Sequence, residues 1–162
     1  MRGTCDHRLS QASQIRLAIS SDAARIAAMS RDYVEAGLGW GWTPARVAHS
    51  IRNRATNVAI AEAEGELAGF GIMKYRDDEA HLLLFAVKPP LRRRGIGTAL
   101  LHWLEESAVT AGIELIFLEA RASNEAARAF YQRHGYRELA TLKGYYSGRE
   151  DAVRIGKDFS SA

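Results

Sequence analysis

Two rhythms of apolar spacing alternate along the chain. Residues 15–19 alternate weakly and predict a first strand. Ser20, Ser21 and Asp22 then form an N-cap cluster, Ile26, Met29, Tyr33 and Val34 make a helical stripe, and Gly37 closes it. Thr43 and Pro44 open a second helix, which runs to about Arg54 with Val47 and Ile51 inward. Residues 57–62, 67–76 and 80–87 read as strands joined by tight turns, an antiparallel meander. Ile96, Ala99, Leu100, Trp103, Leu104, Ala108 and Ala111 share one helical face, and Gly112 offers a stop. Residues 113–120 are apolar almost throughout, as in a central strand. The helix between 80–87 and 113–120 is a crossover, so those two strands run parallel. Residues 124–134 form a helix capped by Ser123 or Asn124 and ended by Gly135. Residues 136–142 and 152–158 make a last hairpin. The pattern predicts one α+β (mixed α/β) domain over 15–162, behind a polar, aperiodic tail at 1–14.

Composition narrows the function classes. With 162 residues the chain has one domain's length. The formal charge of +3 suits an anionic ligand. No blocks of aromatics interleave with basic residues, so nucleic acid is not an expected ligand. Cys5 is the sole cysteine, which excludes an intrachain disulfide and fits a reducing, cytoplasmic setting. The longest apolar run, 82–87, is far short of the ~20 residues of a membrane helix. No apolar segment suggests a signal peptide, and the histidines show no metal-ligand spacing, so no metal is expected.

The most informative stretch is 87–101, V-K-P-P-L-R-R-R-G-I-G-T-A-L-L. It places Gly95-Ile96-Gly97-Thr98 at a helix N-terminus, where free N–H groups and the helix dipole favour an anion. The dinucleotide fingerprint fails because Leu100 stands where its third glycine belongs, and the P-loop fails because no lysine follows Gly97. What remains is R-x-x-G-x-G, Arg92 to Gly97, which by itself also fits an ordinary basic turn before a helix. Its surroundings decide. The block follows an apolar strand ending in V-x-P, and 118–136 reads L-E-A-R-A-S-N-E-A-A-R-A-F-Y-Q-R-H-G-Y. Together they resemble the coenzyme-A signature and the second half-site of the GNAT superfamily of N-acetyltransferases. The likeness is nearest to the bacterial ribosomal-protein alanine N-acetyltransferases. It implies the GNAT fold, in which the parallel strand pair splays open, and acetyl-CoA as cosubstrate. It further implies that Phe85, Ala86 and Val87, the loop Arg92, Arg93, Arg94, Gly95, Ile96, Gly97 and Thr98, and Asn124 hold the cofactor.

Two residues carry the expected chemistry. Glu119 follows Leu115 and Phe117 on one strand face, where partial desolvation would raise its pKa toward neutral and make it a general base. The alternative is a structural ion pair with Arg121. By resemblance Glu119 occupies the catalytic glutamate position. Tyr131 stands on one helix face with Asn124 and Ala127, and is either a core tyrosine or, by resemblance, the proton donor to the departing thiolate. His81, with Glu79 on the same strand face, is either an assisting base or a half-exposed strand histidine.

The resemblance implies a primary amine as acceptor. An α-amine with a pKa of about 7.7–8.0 is partly neutral at pH 7, whereas a lysine at about 10.4 is not, so one carboxylate suits a protein N-terminus. Tyr145 and Tyr146, in a G-Y-Y…E-D-A segment like that of the alanine enzymes, imply a peptide cleft. The loop Gly39-Trp40-Gly41-Trp42-Thr43-Pro44 departs from that family. Trp40 and Trp42 either line the acceptor site or plug the core. A small-molecule amine, or a non-catalytic acyl-CoA-binding module, therefore stays open, as does monomer or homodimer.

Overall fold

The computed structural model describes residues 14–89, 92 and 95–160, so Arg93, Arg94, Cys5 and positions 1–13 of the expected tail lie outside the described residues. Gln14 is not tail but opens the first strand. The strands are β1 (Gln14–Leu17), β2 (Thr56–Ala63), β3 (Glu66–Arg76), β4 (Glu79–Val87), β5 (Leu115–Arg121), β6 (Arg137–Tyr146) and β7 (Glu150–Asp158). They form one sheet in the order β1-β2-β3-β4-β5-β7-β6. Neighbours run antiparallel except β4 and β5, as the crossover predicts.

The helices are α1 (Ala23–Met29), α2 (Pro44–Arg52), α3 (Ile96–Thr110) and α4 (Glu125–Arg133). On one side of the sheet α1 and α2 bury Ile26, Ala27 and Val47 against Val58, Ile60, Phe70 and Ile72. On the other, α3 buries Leu100, Leu101 and Leu104 against Met73, Leu82 and Ile116. The buried face of α3 includes Leu101 and Glu105, while Ala111 is exposed. Glu105 tolerates burial because Tyr136 Oη donates to it at 2.8 Å and Lys157 Nζ lies 3.3 Å away. A π-type turn over Ser30–Val34 widens the end of α1, and Tyr33 comes out 40% exposed instead of continuing the inward stripe.

Two irregularities of β4 shape everything that follows. In its pairing with β3, Met73 faces Leu82 and Ile72 faces Leu84, so Leu83 is an extra residue, a β-bulge. The bulge flips the side-chain alternation: Leu82 packs with α3, whereas Leu84 and Ala86 pack with α1 and α2. On its other side β4 pairs with β5 only through Glu79, Ala80 and His81. Beyond His81 the two parallel strands part.

Candidate active site

A cavity of about 990 Å³ opens where β4 and β5 separate. Residues 81–87 of β4 line one side, and 118–121 of β5 the other. The gap exposes the edge of β4. Lys88 N–H donates to the Ala68 carbonyl at 2.8 Å. Ladder bonds alternate, so the main-chain N–H and C=O groups of Phe85 and Val87 turn away from β3 and toward the gap. The Val87 carbonyl there accepts a hydrogen bond from Arg92 Nε at 3.1 Å.

One end of the cavity reaches the N-terminus of α3. Gly95 is its N-cap, at φ 80°, and has no side chain to bond the first turn. The intrahelical ladder starts with Ala99 N–H on the Gly95 carbonyl at 3.0 Å, which leaves the N–H groups of Ile96, Gly97 and Thr98 without a partner among the described residues. A Cβ on Gly97 would only touch its neighbours, at 3.4 Å from Val87 Cγ2 and 3.5 Å from the Phe130 ring, so its space alone does not demand glycine. Arg92, Gly95, Gly97 and Thr98 line the cavity. Ile96 does not; its side chain is buried in the core, so its main chain is what it offers. A fifteen-residue helix with free N–H groups beside Arg92 fits a phosphate-bearing cofactor.

The middle of the cavity holds the titratable groups. The Glu119 side chain is 5% exposed, and both of its oxygens are engaged. Oε1 accepts from Arg154 Nη2 at 2.9 Å, and Oε2 lies 2.5 Å from His81 Nε2. Sheet register explains both contacts: Arg154 of β7 stands directly opposite Glu119, and His81 pairs with Phe117, two residues before it. The His81 ring stacks on Phe117 at 4.4 Å. Two expectations need correction. Glu119 does not pair with Arg121, which reaches Glu150, Val34 and Ala36 instead. Nor is its pKa raised: burial pushes it up and is the largest single effect, but His81 and Arg154 together outweigh burial and hold the carboxyl below its ordinary range.

Tyr131 faces this centre from α4. It is 5% exposed, lies edge-on to Phe85, Phe130 and Tyr136, and lines the cavity. Its hydroxyl has no hydrogen-bond partner among the described residues, and burial pushes the phenol well above its usual range, so it stays protonated. Asn124 is the cap of α4, its Oδ1 accepting Ala127 N–H at 3.1 Å. The cap leaves the amide nitrogen as its group for a ligand.

The far end of the cavity is assembled from distant segments: Tyr33, Val34, Leu38 and Trp42 on one side, Tyr145, Tyr146 and Ser147 on the other. Tyr145 and Tyr146 lie edge-to-face at 5.0 Å, and burial, with Tyr145 beside it, pushes the Tyr146 phenol up to about 12. The two tryptophans part company. Trp42 is 8% exposed, packs in the core and lines the cavity, with the Arg46 guanidinium 3.8 Å from its ring. Trp40 is not brought to the cavity; its indole N–H donates to the Ala27 carbonyl at 3.2 Å, which holds it over α1. Glu35 shapes the loop by accepting the N–H groups of Gly41 and Trp42 at 2.7 and 3.1 Å. Sequence reading missed Arg154, Arg46 and Glu35. An arginine inside the otherwise apolar run of β7 was the one available signal.

Comparison with known proteins agrees with this geometry. The profile of the Acetyltransferase (GNAT) family matches residues 26–136. The chain is 36% identical over 115 residues to the [Ribosomal protein bS18]-alanine N-acetyltransferase of Escherichia coli strain K12, covering 69% of this chain and 77% of that protein. It is 30% identical over 152 residues to an N-alpha-acetyltransferase of Sulfolobus acidocaldarius, covering 86% and 88%. The crystal structure of the ribosomal-protein-S18-alanine N-acetyltransferase from Escherichia coli superposes with a TM-score of 0.79 at 29% identity, covering 93% of this chain and 96% of that one.

Proposed function

The chain belongs to the GNAT family, as an acetyl-CoA-dependent N-acetyltransferase, and we propose that its acceptor is the N-terminal α-amine of a protein or peptide. The observation that carries the proposal is the far wall of the cavity. Tyr145 and Tyr146 stand there as an amphipathic pair beside Glu119, across from Val34 and Leu38, with room for a peptide end between the walls. Relatives named for protein N-termini support it. The small-amine reading leaned on two tryptophans at the site, and Trp40 is turned away.

In this reading Arg92 and the free N–H groups of Ile96, Gly97 and Thr98 hold the cofactor's phosphates, and the β4 edge at Phe85, Ala86 and Val87 with Asn124 holds its pantetheine arm. Bound there, acetyl-CoA supplies an acyl thioester. Main-chain N–H groups of β4 stabilise the negative charge that develops on the acyl oxygen. Tyr131 Oη donates a proton to the departing sulfur. The Glu119 end of the cavity receives the proton that the amine sheds, and Tyr145, Tyr146 and Trp42 seat the residues around that amine.

The test is acetyl transfer from labelled acetyl-CoA, read by mass spectrometry. One panel holds short peptides that differ in their first residue, and the other common small amines. Acetylation at a peptide α-amine with a first-residue preference is the expected result. Transfer to small amines alone would reassign the acceptor, and binding of acetyl-CoA without transfer to either panel would leave a binding module.

A further inference from the structure

The charges at the acceptor end of the cavity do not balance. Among the described residues two carboxylates line it, Glu35 and Glu119, and both are committed. Glu119 meets Arg154 and His81. Glu35 Oε1 accepts the N–H groups of Gly41 and Trp42, and its Oε2 accepts the Ser30 hydroxyl at 2.8 Å. Two arginines line the same end, Arg46 and Arg121. Arg121 is matched by Glu150 and by the Val34 and Ala36 carbonyls. Arg46 is not matched. Its guanidinium has neither a hydrogen bond nor an ion pair among the described residues; the bond to Thr43 Oγ1 comes from its main-chain N–H.

The placement of this cation points into the site. The guanidinium lies over the Trp42 ring, 3.8 Å from its centroid, and both residues line the cavity. Trp42 is packed in the core, so the ring is a fixed platform for the planar group above it. A guanidinium resting on a ring keeps N–H groups for a planar, charged acceptor, and a carboxylate matches its fork. Helix α2 gains nothing from the charge. Arg46 stands in its first turn, where the helix dipole disfavours a cation, and no acidic residue in that turn offsets it.

We propose that Arg46 selects the acceptor: it pairs with an acidic side chain among the first three residues of the peptide, so the substrate is a protein with an acidic N-terminal segment. The inference rests on the reading of the acceptor as a peptide α-amine. Arg46 is exposed, so water competes for it until the peptide covers it. The pair forms on binding and persists through the reaction, and it therefore acts on KM rather than on kcat. The same charge works against a basic segment, which would set a second cation beside an unpaired one.

The experiment measures kcat and KM for short peptides that differ at one residue. Asp, Asn or Lys stands in turn at each of the first three positions and, as a control, at the sixth. Wild type, R46Q, R46K and R46E are compared, with acetyl-CoA Kd measured alongside to show that each variant is folded. A separate arm offers free aspartate and asparagine, because the carboxylate of a small amine would satisfy the same guanidinium. The wild type should favour Asp over Asn by about fivefold at one of the first three positions, through KM, and show no preference at the sixth. R46Q should abolish that preference, and R46E should turn it toward Lys. R46K should keep part of it, since the charge remains and the planar fork is lost. Equal KM for the Asp and Asn peptides would overturn the proposal. So would a preference that survives in R46Q, which would assign it to another cation. A preference equally strong at the sixth position would assign it to the net charge of the chain and overturn it as well. In all three cases peptides are still acetylated and the α-amine reading stands. Transfer to free aspartate alone, or to no amine, would sink that reading and this inference with it.

Discussion

The two ends of the cavity are built in different ways. The end that we propose for the cofactor is mostly local: β4, one loop and the first turn of α3 supply it within residues 85–98, largely through main chain, and Asn124 of the α4 cap adds to it. The acceptor end gathers residues from the α1–α2 connection, β5 and the β6–β7 hairpin, held by long-range side-chain contacts. Arg121 alone ties three segments, bonding Glu150 at 3.0 Å, the Val34 carbonyl at 3.0 Å and the Ala36 carbonyl at 2.7 Å. A main-chain site binds what every acyl donor of this kind shares. A side-chain site can change its acceptor by changing a few residues.

Tyr131 sits between the ends and belongs to neither, so removing its hydroxyl should have the largest effect. Tyr131→Phe keeps the aromatic contacts to Phe85, Phe130 and Tyr136. It should lower kcat by about 10²-fold, the usual worth of a proton donor, with acetyl-CoA Kd within about twofold because no binding contact is lost. Isothermal titration and steady-state kinetics separate the two. An unimpaired kcat would make Tyr131 a core residue only.

A smaller effect should stay on the cofactor side. Gly95 needs its positive φ of 80° to start α3. Gly95→Val puts a β-branched side chain there at a cost of about 1–2 kcal/mol, or turns the first N–H groups away. Acetyl-CoA Kd should rise about tenfold, and kcat at saturating cofactor should hold. If acceptor KM rises instead, the separation of the two ends is wrong.

The same contrast explains what the sequence could show. Order of elements, the crossover and the parallel pair were all legible, because periodicity and turn residues are local signals. The glycine turn that opens α3 was legible for the same reason: Gly95 and Gly97 lie two residues apart. The splay was not, since it depends on which β4 residues lack a partner on β5, and the Leu83 bulge leaves no mark in an apolar run. Pairing was hidden too. Arg121, two residues from Glu119, was the one partner weighed for it as an alternative, yet sheet register placed Arg154, 35 residues away, across from it. The pKa expectation failed with the pairing: burial alone raises a carboxyl, and two unseen donors reversed the sign. Trp40 and Trp42 are two residues apart in a glycine loop, and only packing decides that one faces α1 and the other the cavity.

Arg121→Leu probes the acceptor end directly. It removes the bonds that hold Val34 and Ala36 against the hairpin. Acceptor KM should rise about fivefold, on the order of 1 kcal/mol for charged bonds that solvent partly screens. Acetyl-CoA Kd should not change. Equal losses in both would mean that Arg121 supports the whole cavity rather than one wall.

The smallest effect tests the support behind Glu119 through stability rather than rate. Its folded pKa lies below the unfolded value of about 4.3, so its pairing contributes stability that is present above that value and lost as pH falls through the folded one. Arg154→Met leaves burial opposed by His81 alone, and Glu119 then protonates at higher pH than in the wild type. Neutral-pH stability should fall by about 1 kcal/mol, kept small because Arg154 is partly solvated. The gap to wild type in urea unfolding should narrow as pH drops through the carboxylate range, since a protonated Glu119 no longer needs the guanidinium. A gap that stays constant with pH would assign the loss to Arg154 packing over the Phe117 ring, 5.6 Å away, and would leave the ion pair without a stabilising role.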